Sequence, residues 1–173
     1  MSIIGILGGD SRETVALFLR ICQEKSLAAQ TNLFRITKND VIPIVCIDEN
    51  KFSLPRVWIL QDVTAYNSYA VKQVKEDGYL IVNADSPIIP VSGPGDIITY
   101  GFNSKASITA SSVADEVLQV CIQRGFKTMD RHFYEPQEFK TPCPSSVNPI
   151  NVLGAITACA VCDIPVINNA PDE

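Results

Sequence analysis

The chain begins Met1-Ser2-Ile3-Ile4-Gly5-Ile6-Leu7-Gly8-Gly9-Asp10-Ser11, an apolar run, a glycine turn and then a helical pattern. A strand that passes through glycines into a helix is the opening of an α/β layer fold. It also occupies the place of a phosphate-binding loop, whose glycines free backbone N–H groups for an anion. Such a loop needs a Lys for the terminal phosphates and a Ser or Thr hydroxyl for Mg²⁺. Gly9 and Asp10 stand at those two places. Asp10 forms a capping box with Glu13, and its carboxylate competes with a phosphate for the same helix N-terminal donors. Two readings stand side by side: a capped strand–turn–helix, and a nucleotide site closed by a change of charge.

The rest of the chain is consistent with an α/β sheet. Ser11–Lys25 reads as a helix with Val15, Leu17, Phe18, Leu19 and Ile21 on its apolar face. Val41–Ile47 is a near-continuous apolar run, expected as a central parallel strand. Strands are expected over Arg56–Leu60 and Tyr79–Asn83, with a helix over Tyr66–Glu76 between them. After Pro94 the segments Ile97–Tyr100, Ser107–Ser112 and Val117–Gln123 point to a small antiparallel sheet, a β-subdomain over 96–143 within a single domain of 1–173. A loop-rich stretch bounded by Pro136, Pro142, Pro144 and Pro149 precedes a helix over Asn151–Val161, and Asn168–Glu173 is a polar tail.

The 173 residues suffice for one sizeable core. The formal net charge is −5 and the 14 Lys and Arg are scattered, which argues against nucleic acid as a partner. No apolar run reaches the ~20 residues of a membrane span, and the first residues lack the basic region of a signal peptide. Cys22, Cys46, Cys121, Cys143, Cys159 and Cys162 lie far apart, as reduced buried thiols of a cytoplasmic protein do. Cys159-Ala160-Val161-Cys162 has the C-x-x-C spacing but no second pair, and reads as core packing. His132 sits between Arg131 and Phe133 with no catalytic neighbour in sequence, and reads as an exposed histidine.

Three later segments carry a resemblance. Gly78-Tyr79-Leu80-Ile81-Val82-Asn83-Ala84-Asp85-Ser86-Pro87 resembles a "DG-x-x-V-x-N-A-D-D-P" segment, Ile98-Thr99-Tyr100-Gly101 an "I-T-[FY]-G", and Asn148–Ile156 an "H-N-x-x-N-A-L-A-A-I" helix start. In that order, behind the glycine loop, they are similar to the central ATP-binding domain of Mur ligases, the ATP-dependent acid–amino-acid ligases of bacterial peptidoglycan synthesis. The resemblance implies a three-layer α/β fold: a mostly parallel P-loop-like sheet flanked by helices, with the small antiparallel sheet in the second half. It places the phosphate loop on Gly5, Gly8, Gly9 and Ser11, a metal-binding acid on Asp48, and adenine-contacting residues on Asn148 and Asn151. The family's Asp-His pair becomes Tyr66-Asn67, the His before Asn148 becomes Val147, and Lys72 or Lys75 falls near its carbamylated lysine.

The family reaction relies on charge neutralisation of the γ-phosphate. Two like charges 4 Å apart at an effective dielectric of about 20 repel by about 4 kcal/mol, so Asp10 reverses the local sign. The expectation is therefore a Mur-ligase-like module without ligase turnover of its own, a pseudoenzyme with no catalytic residue, that binds a protein partner or small ligand. It requires no cofactor and binds ATP and Mg²⁺ weakly at best. The alternative is a nucleotide-binding ligase component with an altered site, or one completed by a partner subunit.

Overall fold

The computed structural model describes residues 2–8, 11–35, 41–47, 55–61, 74–86 and 95–167. Strand β1 (Ser2–Leu7) passes a bend at Gly8 (φ 77°) and is followed by helix α1 (Ser11–Glu24). Next come β2 (Ala29–Arg35), β3 (Val41–Ile47), β4 (Val57–Leu60), β5 (Tyr79–Asn83), β6 (Asp96–Tyr100), β7 (Ile108–Ala114) and β8 (Val117–Ile122). A two-stranded ribbon of β9 (Phe126–Lys127) and β10 (Phe133–Tyr134), the strand β11 (Gln137–Pro142) and helix α2 (Pro149–Val161) complete the described chain.

Nine strands form one sheet in the order β11-β8-β7-β6-β5-β4-β1-β3-β2. Its centre, β1, β4, β5, β6 and β7, is parallel. Both flanks are antiparallel: β3 and β2 on one side, β8 and β11 on the other. The architecture is thus a mixed α/β fold, with a parallel centre and the small antiparallel ribbon beside it. Val41–Ile47 is a strand as expected, but it is antiparallel to both neighbours. Apolar continuity signals burial and carries no information on direction. The segments after Pro94 form strands, and β6, β7 and β8 extend the main sheet. The β7–β8 turn places Asp115 (φ 50°) and Glu116 (φ 58°) both in the left-handed region, the twist that suits a two-residue hairpin.

Helix α1 buries Thr14, Val15, Leu17, Phe18 and Cys22 and packs over β1–β3. It ends where Ser26 (φ 57°) turns left-handed and Leu27 N–H reaches Cys22 O at 2.8 Å. Helix α2 packs over β4–β7 and against α1, so the two helices lie side by side. Every residue from Asn151 to Val161 is buried, as in a helix with no solvent face. Val57, Ile59, Tyr79 and Ile81 join the core beneath these helices. Trp58, Leu60, Leu80 and Val82, the alternate residues, are equally buried, so β4 and β5 are covered on both faces. The helix expected over Tyr66–Glu76 lies mostly outside the described residues, and Val74–Glu76 are not helical.

Candidate functional site

In an open parallel sheet the strand carboxyl ends, where helices begin, form the usual ligand crevice. Here β4 ends at Leu60, and the next residue, Gln61, is only 4% exposed. Its Nε2 donates to Thr14 Oγ1 on the first turn of α1 and to Asn151 Oδ1 on α2 at 3.0 Å. Asn151 Nδ2 donates in turn to Glu13 Oε2, which also accepts from Asn148 N at 3.3 Å. Asn83, at the end of β5, donates to Gln61 O at 3.1 Å. One hydrogen-bonded cluster therefore ties the ends of β4 and β5 to the first turns of both helices.

The electrostatics follow from the geometry. Glu13 and the start of α2 face each other, so a carboxylate of the protein itself sits at a helix N-terminus, where an external anion would otherwise bind. Its charge reaches Cys143: burial first, then Glu13, push that thiol above its ordinary range. Among the described residues, Gln61 Oε1 has no hydrogen-bond partner although it is buried. An unpaired buried acceptor costs about 1–3 kcal/mol, and the described residues supply no donor to this one.

The residues singled out in the sequence occupy distinct places. Gly5 lies inside β1, where an added Cβ would meet the Trp58 ring at 2.8 Å and Pro55 Cγ at 3.3 Å. Packing against Trp58 accounts for that glycine. Gly8 is exposed at the bend and Ser11 is the first residue of α1. Gly9, Asp10 and Asp48 lie outside the described residues, and so do Tyr66, Asn67 and Lys72. Lys75 is exposed before the turn at Asp77-Gly78. Asn148 is the N-cap of α2, its side chain accepting from Ile150 N at 3.2 Å, and Asn151 is the hub of the cluster. Glu13 reaches across to α2, which the capping-box spacing in sequence does not reveal. Gln61 had one signal, a polar residue directly after the apolar run Val57–Leu60.

The Asn83-Ala84-Asp85 and Ile98–Gly101 segments meet in space. Asp85 accepts from Phe102 N at 2.6 Å and Asn103 N at 2.8 Å, holding the loop after β6. Gly101 has φ 148°, and a Cβ there would strike the Asp85 carboxylate at 2.8 Å. These motifs thus have a structural duty: they lock the ends of β5 and β6 together. Cys159 is fully buried and Cys162 caps α2. Burial foremost, then the neighbouring Cys22 and Cys162, push the Cys159 thiol well up, as the core-packing reading of the C-x-x-C requires. Among the described residues no group of three His, Cys, Asp or Glu side chains could hold a metal ion, and no helix is long and apolar enough to cross a membrane.

No family model matches the sequence, and no curated protein matches it. Solved structures that resemble part of the chain include the gamma subunit of a keto/oxoacid ferredoxin oxidoreductase from Geobacter sulfurreducens PCA. It is 15% identical over 57% of this chain, with a TM-score of 0.42. The chain spans 60% of that subunit's length. The neighbour is an oxidoreductase subunit and not a Mur ligase. The expected membership of the Mur ligases is corrected, since no family model matches the sequence. The peptidoglycan-ligase function and its nucleotide-binding alternative are corrected with it. The physical reason is local: the Asn83-Ala84-Asp85 motif and Gly5 of β1 are explained by loop locking and by the Trp58 contact, demands that unrelated sheets share.

Proposed function

We propose that the protein is a ligand-binding module whose site is the carboxyl end of β4 and β5, and that its ligand is a small molecule presenting a hydrogen-bond donor, an ammonium or a primary amide. The observation that carries this reading is Gln61 Oε1, buried and without a partner among the described residues, in a cluster whose charged member is the Glu13 carboxylate. An acceptor beside a carboxylate attracts a donor and repels a phosphate. The N-terminus of α2, which would favour an anion, faces the chain's own Glu13 instead. A protein partner that offers a lysine ammonium or an asparagine amide to this end satisfies the same chemistry.

The test uses thermal unfolding with methylammonium, acetamide and inorganic phosphate as probes. A ligand at 100 times its dissociation constant stabilises the folded state by about 2.7 kcal/mol. Methylammonium or acetamide should raise the melting temperature of the wild type. Neither should do so for Gln61→Met, which keeps the side-chain length and removes the acceptor. Phosphate should leave both unchanged. Stabilisation by phosphate, or an undiminished donor effect in Gln61→Met, contradicts the reading.

A further inference from the structure

The far end of α2 carries a second arrangement of polar groups. The helix closes with Ile164 N–H on Cys159 O at 2.9 Å and Asp163 in the left-handed region (φ 59°). That turn sends the Asp163 carboxylate outward, where it accepts from Asp130 N at 2.8 Å and lies 2.9 Å from His132 Nδ1. The carboxylate is nearly buried, whereas the imidazole is 75% exposed. The turn that carries His132 is itself built firmly. Thr128 N donates to His132 O at 2.9 Å, His132 N to Thr128 Oγ1 at 3.1 Å, and Met129 N to Val161 O at 2.9 Å. Tyr79 Oη donates to Thr128 O at 2.7 Å from beneath.

A carboxylate on Nδ1 holds that nitrogen as the N–H donor and leaves Nε2 as an acceptor. His132 and Asp163 line a groove of about 440 Å³, within the range of small-molecule sites. Phe133, Pro165 and Ile167 give it apolar walls. The Phe133 ring is 59% exposed, and it crosses so close to Gly125 that a Cβ there would meet Cζ at 2.5 Å. Glu135 also lines the groove and sets its charge against anions. An oriented acceptor beside an exposed aromatic face defines one kind of occupant.

We propose that this groove binds a small planar aromatic molecule bearing a hydroxyl or N–H group, which stacks on Phe133 and donates its proton to His132 Nε2. Nothing in this proposal depends on the site at the other end of α2.

His132 is the sole histidine of the chain, so its nitrogen resonances are unambiguous. The test is NMR of the intact chain titrated with phenol, with anisole as the control that lacks the donor. In the free neutral protein Nδ1 should carry the proton. Phenol should perturb Nε2 and bind about fivefold more tightly than anisole, the worth of one ordinary hydrogen bond. His132→Phe, an exposed aromatic replacement, should erase the difference between the two probes. Asp163→Asn should lower phenol affinity with little change for anisole, and Phe133→Ala should weaken both. Equal binding of phenol and anisole, absence of any response at His132, or a proton on Nε2 in the free protein would overturn the proposal.

Discussion

The two ends of α2 solve the same problem in opposite ways. A helix leaves donors bare at its start and acceptors bare at its finish. At the start, Asn148 caps, and the Glu13 carboxylate arrives from α1 with Asn151, Gln61 and Thr14 behind it, all except the cap in or near the core. At the finish, Ile164 N and Met129 N donate to Cys159 O and Val161 O, and Asp163, just beyond the helix, holds an imidazole that stands mostly in solvent. The first end is a closed network with one acceptor left over. The second is an open groove with one oriented group. Burial therefore makes the first end decisive for stability and selective in what it admits, and exposure makes the second energetically cheap and accessible.

That contrast can be broken by substitution. The largest effect is expected for Asn151→Leu, which removes one acceptor from Gln61 Nε2 and one donor from the Glu13 carboxylate. At about 0.5–1.5 kcal/mol for the hydrogen bond to Gln61 and about 1.5–3 kcal/mol for the one to the charged Glu13, denaturant unfolding should show a loss of at least about 2 kcal/mol. A double-mutant cycle of Asn151→Leu with Glu13→Gln should give a coupling of about 0.5–3 kcal/mol, and additivity would mean that the two residues do not share a network. Gly5→Ala, which drives a Cβ into Trp58, should cost about 1–3 kcal/mol through overpacking, with ligand selectivity unchanged.

A smaller, pH-dependent effect belongs to Tyr79, whose hydroxyl supports the His132 turn. Burial first, then the Asp96 carboxylate, raise its pKa above the ordinary tyrosine value. The folded state thus holds the phenolic proton more tightly than the unfolded chain. Its stabilising contribution is complete below about pH 10, the unfolded value, and is lost as pH rises through the folded pKa. Tyr79→Phe should cost about 0.5–1.5 kcal/mol at neutral pH and make alkaline unfolding less steep. Asp163→Asn should change stability least, by under about 1 kcal/mol, since its partner is exposed. Its signature should be in the imidazole tautomer instead.

The comparison also shows what a sequence reveals. α1 and β5 were legible because their periodicity and their Gly or Asp punctuation are local: Tyr79–Asn83 is observed with the expected bounds. β2 and β11 were not, since Ala29–Arg35 is rich in polar residues and Gln137–Pro142 is flanked by prolines. Each is an edge strand, stabilised by one neighbour rather than by its own pattern. Asn148 and Asn151 stood out in sequence, and the structure gives them partners from 90 to 138 residues away in the chain. His132 read as a bare exposed histidine because its partner Asp163 lies 31 residues on, beyond any local spacing rule. Short-range patterns encode elements, whereas both candidate sites come from long-range pairings.

The central claim is that Glu13 closes the start of α2 to anions while Gln61 keeps one acceptor there for a donor. Calorimetric titration of the intact chain, first with methylammonium and acetamide and then with inorganic phosphate, measures it most directly. Saturable heat with a donor probe and none with phosphate is the predicted result. Saturable phosphate binding, or indifference to both donors, would contradict it.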